Sequence, residues 1–177
     1  MYQATIQLTN QMLTGKLDFY VLYQVKQELE GIGRKLTIPQ LLEVVGKEDF
    51  QCLFLIFICS IQRSSGLSIA EIKSLYDTHR SQDETDEWIL SCLINLYQYI
   101  QALFKACLVT KEQEEESEFE DIPLSSKDDW DFAWLEYQWT SVLKRQDFWS
   151  TTPKNFMQQL EAHQQFHGIK KENIEEW

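Results

Sequence analysis

Cys52-Leu53-Phe54-Leu55-Ile56-Phe57-Ile58-Cys59 is the stretch that decides the fold. With Glu48-Asp49-Phe50 opening it and Ile61 extending it, the segment reads as a helix that is apolar nearly all round. A helix without a polar face has to be surrounded, so this one is expected at the centre of a helical domain. The apolar run is far short of the roughly 20 residues that span a bilayer. Met1-Tyr-Gln-Ala-Thr-Ile-Gln-Leu8 is polar and alternating, not charged and then apolar, so neither a membrane partner nor an export signal is expected.

Toward the N-terminus, Tyr20, Leu22, Tyr23, Val25 and Leu29 recur at helical spacing from Phe19 until Gly31-Ile32-Gly33 stops the run. Ahead of it, Ala4-Thr-Ile-Gln-Leu8 alternates like a strand, and Asn10 and Gly15 supply turn residues for a short β-hairpin or an irregular arm. Thr37-Ile-Pro-Gln40 has the form of a capping box, in which a hydroxyl caps free N–H groups and the third residue reaches back. A short helix is predicted from there through Val45, ended by Gly46. Toward the C-terminus, Ser68-Ile-Ala-Glu71 repeats the box and starts a helix to about Thr78. Glu84 to Leu108 reads as one long helix, with Trp88, Ile89, Cys92, Leu96, Tyr99, Leu103 and Cys107 at three- and four-residue steps. Residues 1–109 thus read as a bundle of about five helices.

Lys111-Glu-Gln-Glu-Glu-Glu-Ser-Glu-Phe-Glu-Asp121 then breaks the composition, with too little apolar surface to offset the entropy of ordering. We read 110–125 as an acidic, flexible linker, 126–168 as a Trp-rich helical module and 169–177 as a charged tail. Residues 1–110 carry 9 basic and 12 acidic groups, 111–131 carry 2 and 10, and 132–177 carry 5 and 6, so the net charge of −12 belongs to the middle. Such a balance opposes binding to nucleic acid, whose phosphates have to be met by Lys and Arg. In the module, Ser126 is a cap for a helix from Asp128 to about Arg145. Trp130, Trp134 and Tyr137 form one stripe on it, and Phe132, Leu135, Trp139 and Val142 another. Thr152-Pro153 starts a last helix, carrying Phe156, Met157, Leu160, His163 and His167, that stops at Gly168.

No constellation for catalysis emerges. Cys52, Cys59, Cys92 and Cys107 lie in apolar helical patterns without a C-x-x-C pair, as reduced core cysteines do. His163 and His167 have the spacing of two zinc ligands, but Gln164 stands where a zincin has Glu and no third ligand is near. Gly31-Ile32-Gly33 lacks the third glycine of a phosphate loop. Neighbouring carboxylates such as Asp128 and Asp129 have no dry pocket to raise a pKa. We therefore expect no enzyme activity, no cofactor and no metal.

Five of the six tryptophans, Trp130, Trp134, Trp139, Trp149 and Trp177, fall in the last 48 residues, too short a segment to bury them all in a core of its own. Aromatic residues dominate interface hot spots, which makes this set a candidate partner surface. Within it, Asp147-Phe148-Trp149-Ser-Thr-Thr152-Pro153-Lys-Asn-Phe156-Met-Gln-Gln-Leu160 resembles the Phe-Trp-x-x-Thr-Pro motif of the tail assembly chaperones of long-tailed bacteriophages. Thr151 stands where that family often has Met or Leu. A helical N-terminal domain, an acidic joint and a short C-terminal module also look like the longer, frameshift-made form of such chaperones. The resemblance implies a non-enzymatic chaperone of the host cytoplasm, not carried in the mature virion. Its N-terminal domain would bind the tape-measure protein, its C-terminal module would recruit tail-tube protein, and it would act alongside the shorter form of the same chaperone or itself. Trp130, Trp134, Trp139, Phe148, Trp149, Pro153, Phe156 and Leu160 are the expected partner-binding residues. The competing reading is an acidic decoy that mimics DNA and blocks a host nucleic-acid-binding protein. It would need its carboxylates spaced on a rigid surface, whereas they concentrate in the 110–125 stretch.

Overall fold

The computed structural model describes residues 2–43, 49–109 and 128–167. The 110–125 linker, Ser126, Gly46, Gly168 and the 169–177 tail lie outside the described residues. The fold is mainly helical, with a two-stranded antiparallel hairpin at the N-terminus and a helical C-terminal region. Strand β1 (Ala4–Leu8) pairs with β2 (Gln11–Gly15), placing Ile6 opposite Leu13. The turn is Thr9-Asn10, with Thr9 in the left-handed region at φ 52°. Gly15 is no turn residue. It ends β2, because a Cβ there would stand 1.8 Å from the Tyr99 hydroxyl.

Helices α1 (Phe19–Gly31), α2 (Ile38–Leu42), α3 (Phe50–Ser65), α4 (Ile69–Arg80) and α5 (Asp86–Cys107) form the bundle. Their starts follow local chemistry: Asp18, Thr37, Asp49, Ser68 and Thr85 each accept a backbone N–H from the first turn, and Thr37 and Ser68 complete full capping boxes. Helix α3 is central, packed against α1, β2, α4 and α5 with Cys52, Leu53 and Ile56 to Ile61 buried. Each leucine, isoleucine or phenylalanine among them contributes about 1.5–3 kcal/mol on leaving water, which is why the most apolar helix takes the middle.

The C-terminal region departs from the predicted Asp128–Arg145 helix. Its α-helix α6 is only Phe132–Tyr137, capped by Asp131, and it widens into a π turn over Gln138–Val142. Asp129 accepts the Ile38 N–H at 2.9 Å, which holds residues 128–130 outside the helix. After the 3-10 turn Phe148–Ser150, helix α7 (Pro153–Phe166) starts at Thr152 and Pro153 as the sequence predicts. Residues from the hairpin, the bundle and the C-terminal region share a continuous hydrophobic core.

Candidate partner-binding surface

The aromatic pair Phe148-Trp149 is delivered by a tight turn. Asp147 takes the left-handed conformation at φ 59°, ψ 46°, which redirects the chain onto α1. Phe148 then stacks on Phe19 with ring centroids 4.5 Å apart. Phe156 and Trp130 meet Phe19 edge-on at 5.7 and 6.0 Å, and Trp139 stacks on Phe156 at 5.9 Å. Of the two buried indoles, Trp139 Nε1 donates to the Gln146 carbonyl at 2.7 Å, whereas Trp130 Nε1 meets no acceptor among the described residues.

Polar contacts fix this docking in register. The Phe19 N–H donates to the Thr151 carbonyl at 3.0 Å. Asp18, buried, accepts the Val21 N–H on Oδ1 and the Arg63 guanidinium on Oδ2, both at 3.0 Å. Arg63 also donates to the Ser150 hydroxyl at 2.9 Å, and Lys16 donates to the Ser150 carbonyl. On the other flank Asp129 accepts the Ile38 N–H and pairs with Lys26. Partial burial pushes the Asp129 pKa up, but the Lys26 ammonium and the Ile38 N–H outweigh it and hold the carboxyl below its ordinary range.

This geometry redistributes the expected contact residues. Trp130, Trp139, Phe148, Pro153, Phe156 and Leu160 are buried inside the chain, Trp149 is half-buried, and Trp134 alone of the eight is exposed, at 43%. All six are therefore turned inward and present no surface to a partner in this state, and three of them, Trp130, Phe148 and Phe156, meet α1 through Phe19. The sequence treats the segment as a unit with too many aromatics for its own core. The missing surface comes from α1, through Phe19.

What remains outside is an aromatic ledge. Tyr23, Phe132 and Trp149 are mutual neighbours, at 5.9, 5.7 and 5.6 Å between ring centroids. Tyr20 lies one helical turn away, with the Arg63 guanidinium 4.8 Å from its ring centroid. Trp134 and Tyr137, 43% and 58% exposed, stand on the outer side of α6. Tyr20, Tyr23 and Phe132 are contact candidates that the sequence reading missed. The signal was present in the phase of α1, where two tyrosines three residues apart fall off the stripe made by Phe19, Leu22, Val25 and Leu29.

The cysteines are all free and buried. Burial pushes the thiols of Cys52 and Cys107 up to about 11 and that of Cys59 to about 12, away from nucleophilic thiolate chemistry. Among the described residues no group of three or more His, Cys, Asp or Glu is placed to hold a metal, and His163 and His167 simply lie side by side at 4.3 Å between ring centroids. No single helix among them is long and apolar enough to cross a membrane. Compared with family models, curated proteins and solved structures, the chain has no match in any of the three.

Proposed function

We propose that this chain is a non-enzymatic tail assembly chaperone of a long-tailed bacteriophage, of the longer form, working in the host cytoplasm and leaving before the virion is complete. The observation that carries the reading is the Phe148-Trp149 pair followed by Thr152-Pro153, on a helical chain whose excess acidity is concentrated in 111–131. In this reading the helical bundle binds the tape-measure protein, and the C-terminal region recruits tail-tube protein. The motif's own side chains shape the recruiting region from within, and the ledge of Tyr23, Phe132, Trp134, Tyr137 and Trp149 makes the contact. Exposed aromatic rings suit that task because they remove large apolar areas from water at small entropic cost.

Co-expression with a tape-measure protein from a long-tailed phage tests the proposal. Tape-measure protein that becomes soluble and co-purifies with the chain is the expected result. Tape-measure protein that stays insoluble with and without the chain overturns it.

A further inference from the structure

Two of the chain's three histidines meet at the C-terminal end of α7. His163 lies in its last turn and His167 caps it, with ring centroids 4.3 Å apart and planes at 52°. The row Phe156, Leu160, His163 and His167 runs down one face of the helix, and its first two members are buried in the core, so packing fixes the direction in which the pair projects. Phe166 meets the His167 ring edge-on at 5.2 Å and 87°, which restricts how that ring turns. His163 is half-buried and His167 exposed, so both rings can be reached from solvent. The third histidine cannot, since His79 is buried and its Nδ1 already accepts the Thr9 N–H. Among the described residues no hydrogen bond engages the ring nitrogens of His163 or His167.

We propose that His163 and His167 chelate one divalent transition-metal ion of the Ni²⁺, Cu²⁺ and Zn²⁺ class. This does not rest on the tail-assembly reading. Imidazole nitrogen is a ligand that such ions favour, whereas Mg²⁺ and Ca²⁺ take oxygen. Zinc–nitrogen bonds are about 2.0–2.1 Å long, so an ion bound by one nitrogen of each ring holds the two rings at this order of separation. The negative end of the helix dipole, at the same terminus, favours a cation there. The expectation of no metal rests on the missing third protein ligand, which a two-imidazole chelate completed by water does not need. Gln164 stands where a zinc hydrolase has its general base, so the site binds and does not hydrolyse. A bound ion ties down the last turn of α7, and because Phe156 and Leu160 belong to the shared core, the whole fold gains stability from it.

Isothermal titration calorimetry of the full chain with NiCl₂, in excess Mg²⁺ to occupy the carboxylates, tests this. The wild type is expected to take up one Ni²⁺ per chain. His163→Gln and His167→Gln should each weaken that binding about 10- to 100-fold, since a lone imidazole loses the chelate. Their circular dichroism should match the wild type. Spacing provides a second check. His167→Gln/Phe166→His keeps two imidazoles on one face, three residues apart, and should recover part of the affinity, whereas His167→Gln/Gln165→His puts them on different faces and should recover none. Ni²⁺ should also raise the thermal midpoint of the wild type and leave those of the two single variants in place. A wild type that takes up no Ni²⁺, Ni²⁺ that Mg²⁺ displaces, or single variants that bind as tightly as the wild type overturn the site. Full recovery in His167→Gln/Gln165→His overturns the chelate.

Discussion

Phe19 and Phe148, from opposite ends of the chain, stack with ring centroids 4.5 Å apart and planes within 18°. Both are fully or almost fully buried, and Phe156, Trp130 and Phe132 surround Phe19 edge-on. The C-terminal region and the helical bundle are therefore expected to unfold together. Phe148→Ala should cost about 3–5 kcal/mol, and because Phe19→Ala empties the same site, the double variant should lose less than the sum of the two. Urea titrations followed by tryptophan fluorescence and by far-ultraviolet circular dichroism check this. Two separated transitions in the wild type would contradict it.

Gly15 faces the hydroxyl of Tyr99 too closely for any side chain. Ser60 donates its proton to the Phe57 carbonyl at 2.9 Å, so at 2.8 Å it is the Tyr99 hydroxyl that donates to Ser60 Oγ. Gly15→Ala should destabilise by about 1–3 kcal/mol through overpacking. Tyr99→Phe removes one hydrogen bond and should cost about 1 kcal/mol. In Gly15→Ala/Tyr99→Phe the clash is relieved, so the pair should cost less than the two single changes added. A strictly additive double-mutant cycle would reject this contact.

His79 ties the hairpin to α4, its Nδ1 accepting the Thr9 N–H at 2.9 Å while Trp88 Nε1 donates to its carbonyl. The proton must then sit on Nε2, and a charged ring would turn a second N–H toward Thr9. Burial holds the His79 pKa below its ordinary value. A folded pKa below the unfolded value of about 6.5 means a contribution fully present above that pH and lost as pH falls through the folded value. The urea midpoint should thus decline between pH 7.5 and 5.5, and less so in His79→Asn, whose amide oxygen can accept the Thr9 N–H without titrating. Equal declines in the two proteins would show that other groups set the acid sensitivity. Glu161, whose carboxyl burial raises above its ordinary value, works in the opposite direction, its contribution being lost as pH rises through the folded value.

The four thiols should be silent toward iodoacetamide in the native protein at pH 8. Burial raises all of them, Cys52 and Cys107 to about 11, Cys59 to about 12, and Cys92 in the same direction. Labelling followed by mass spectrometry should give no modified cysteine without denaturant and four with it. A cysteine labelled rapidly in the folded chain would mark an accessible thiol that this packing does not allow.

Much of this architecture was legible because it is written locally. The capping residues Thr37, Ser68 and Thr152, and the proline at 153, specify helix starts through hydrogen bonds within four residues, and the structure has each of them in place. The all-apolar Cys52–Cys59 run likewise dictates its own burial, except at Phe54 and Leu55, which are half-buried. What periodicity could not supply was the influence of distant residues. Asp129 leaves the predicted helix because Ile38 and Lys26 claim its carboxylate, and Gly15 answers to Tyr99 and not to a turn. His79 sits in a polar stretch of sequence yet is buried against Thr9, a partner 70 residues away. The candidate site shows the same limit. The aromatic residues were identifiable, but which of them face inward depends on Phe19.

That division between buried and exposed rings separates two roles experimentally. Trp134 and Tyr137 project into solvent from α6, so Trp134→Ser/Tyr137→Ser should leave the urea midpoint within about 0.5 kcal/mol of the wild type. If the ledge is the contact surface, the same variant should lose most of the partner protein in pull-downs from cells co-expressing tape-measure and tail-tube proteins. Phe148→Ala should lose the partner too, but only together with stability, because it undermines the packing that positions Trp149 and Phe132. Trp149→Ala falls between, since its ring is half-buried against Tyr23 and Phe132. A Trp134→Ser/Tyr137→Ser variant that captures as much partner as the wild type would move the contact away from this ledge.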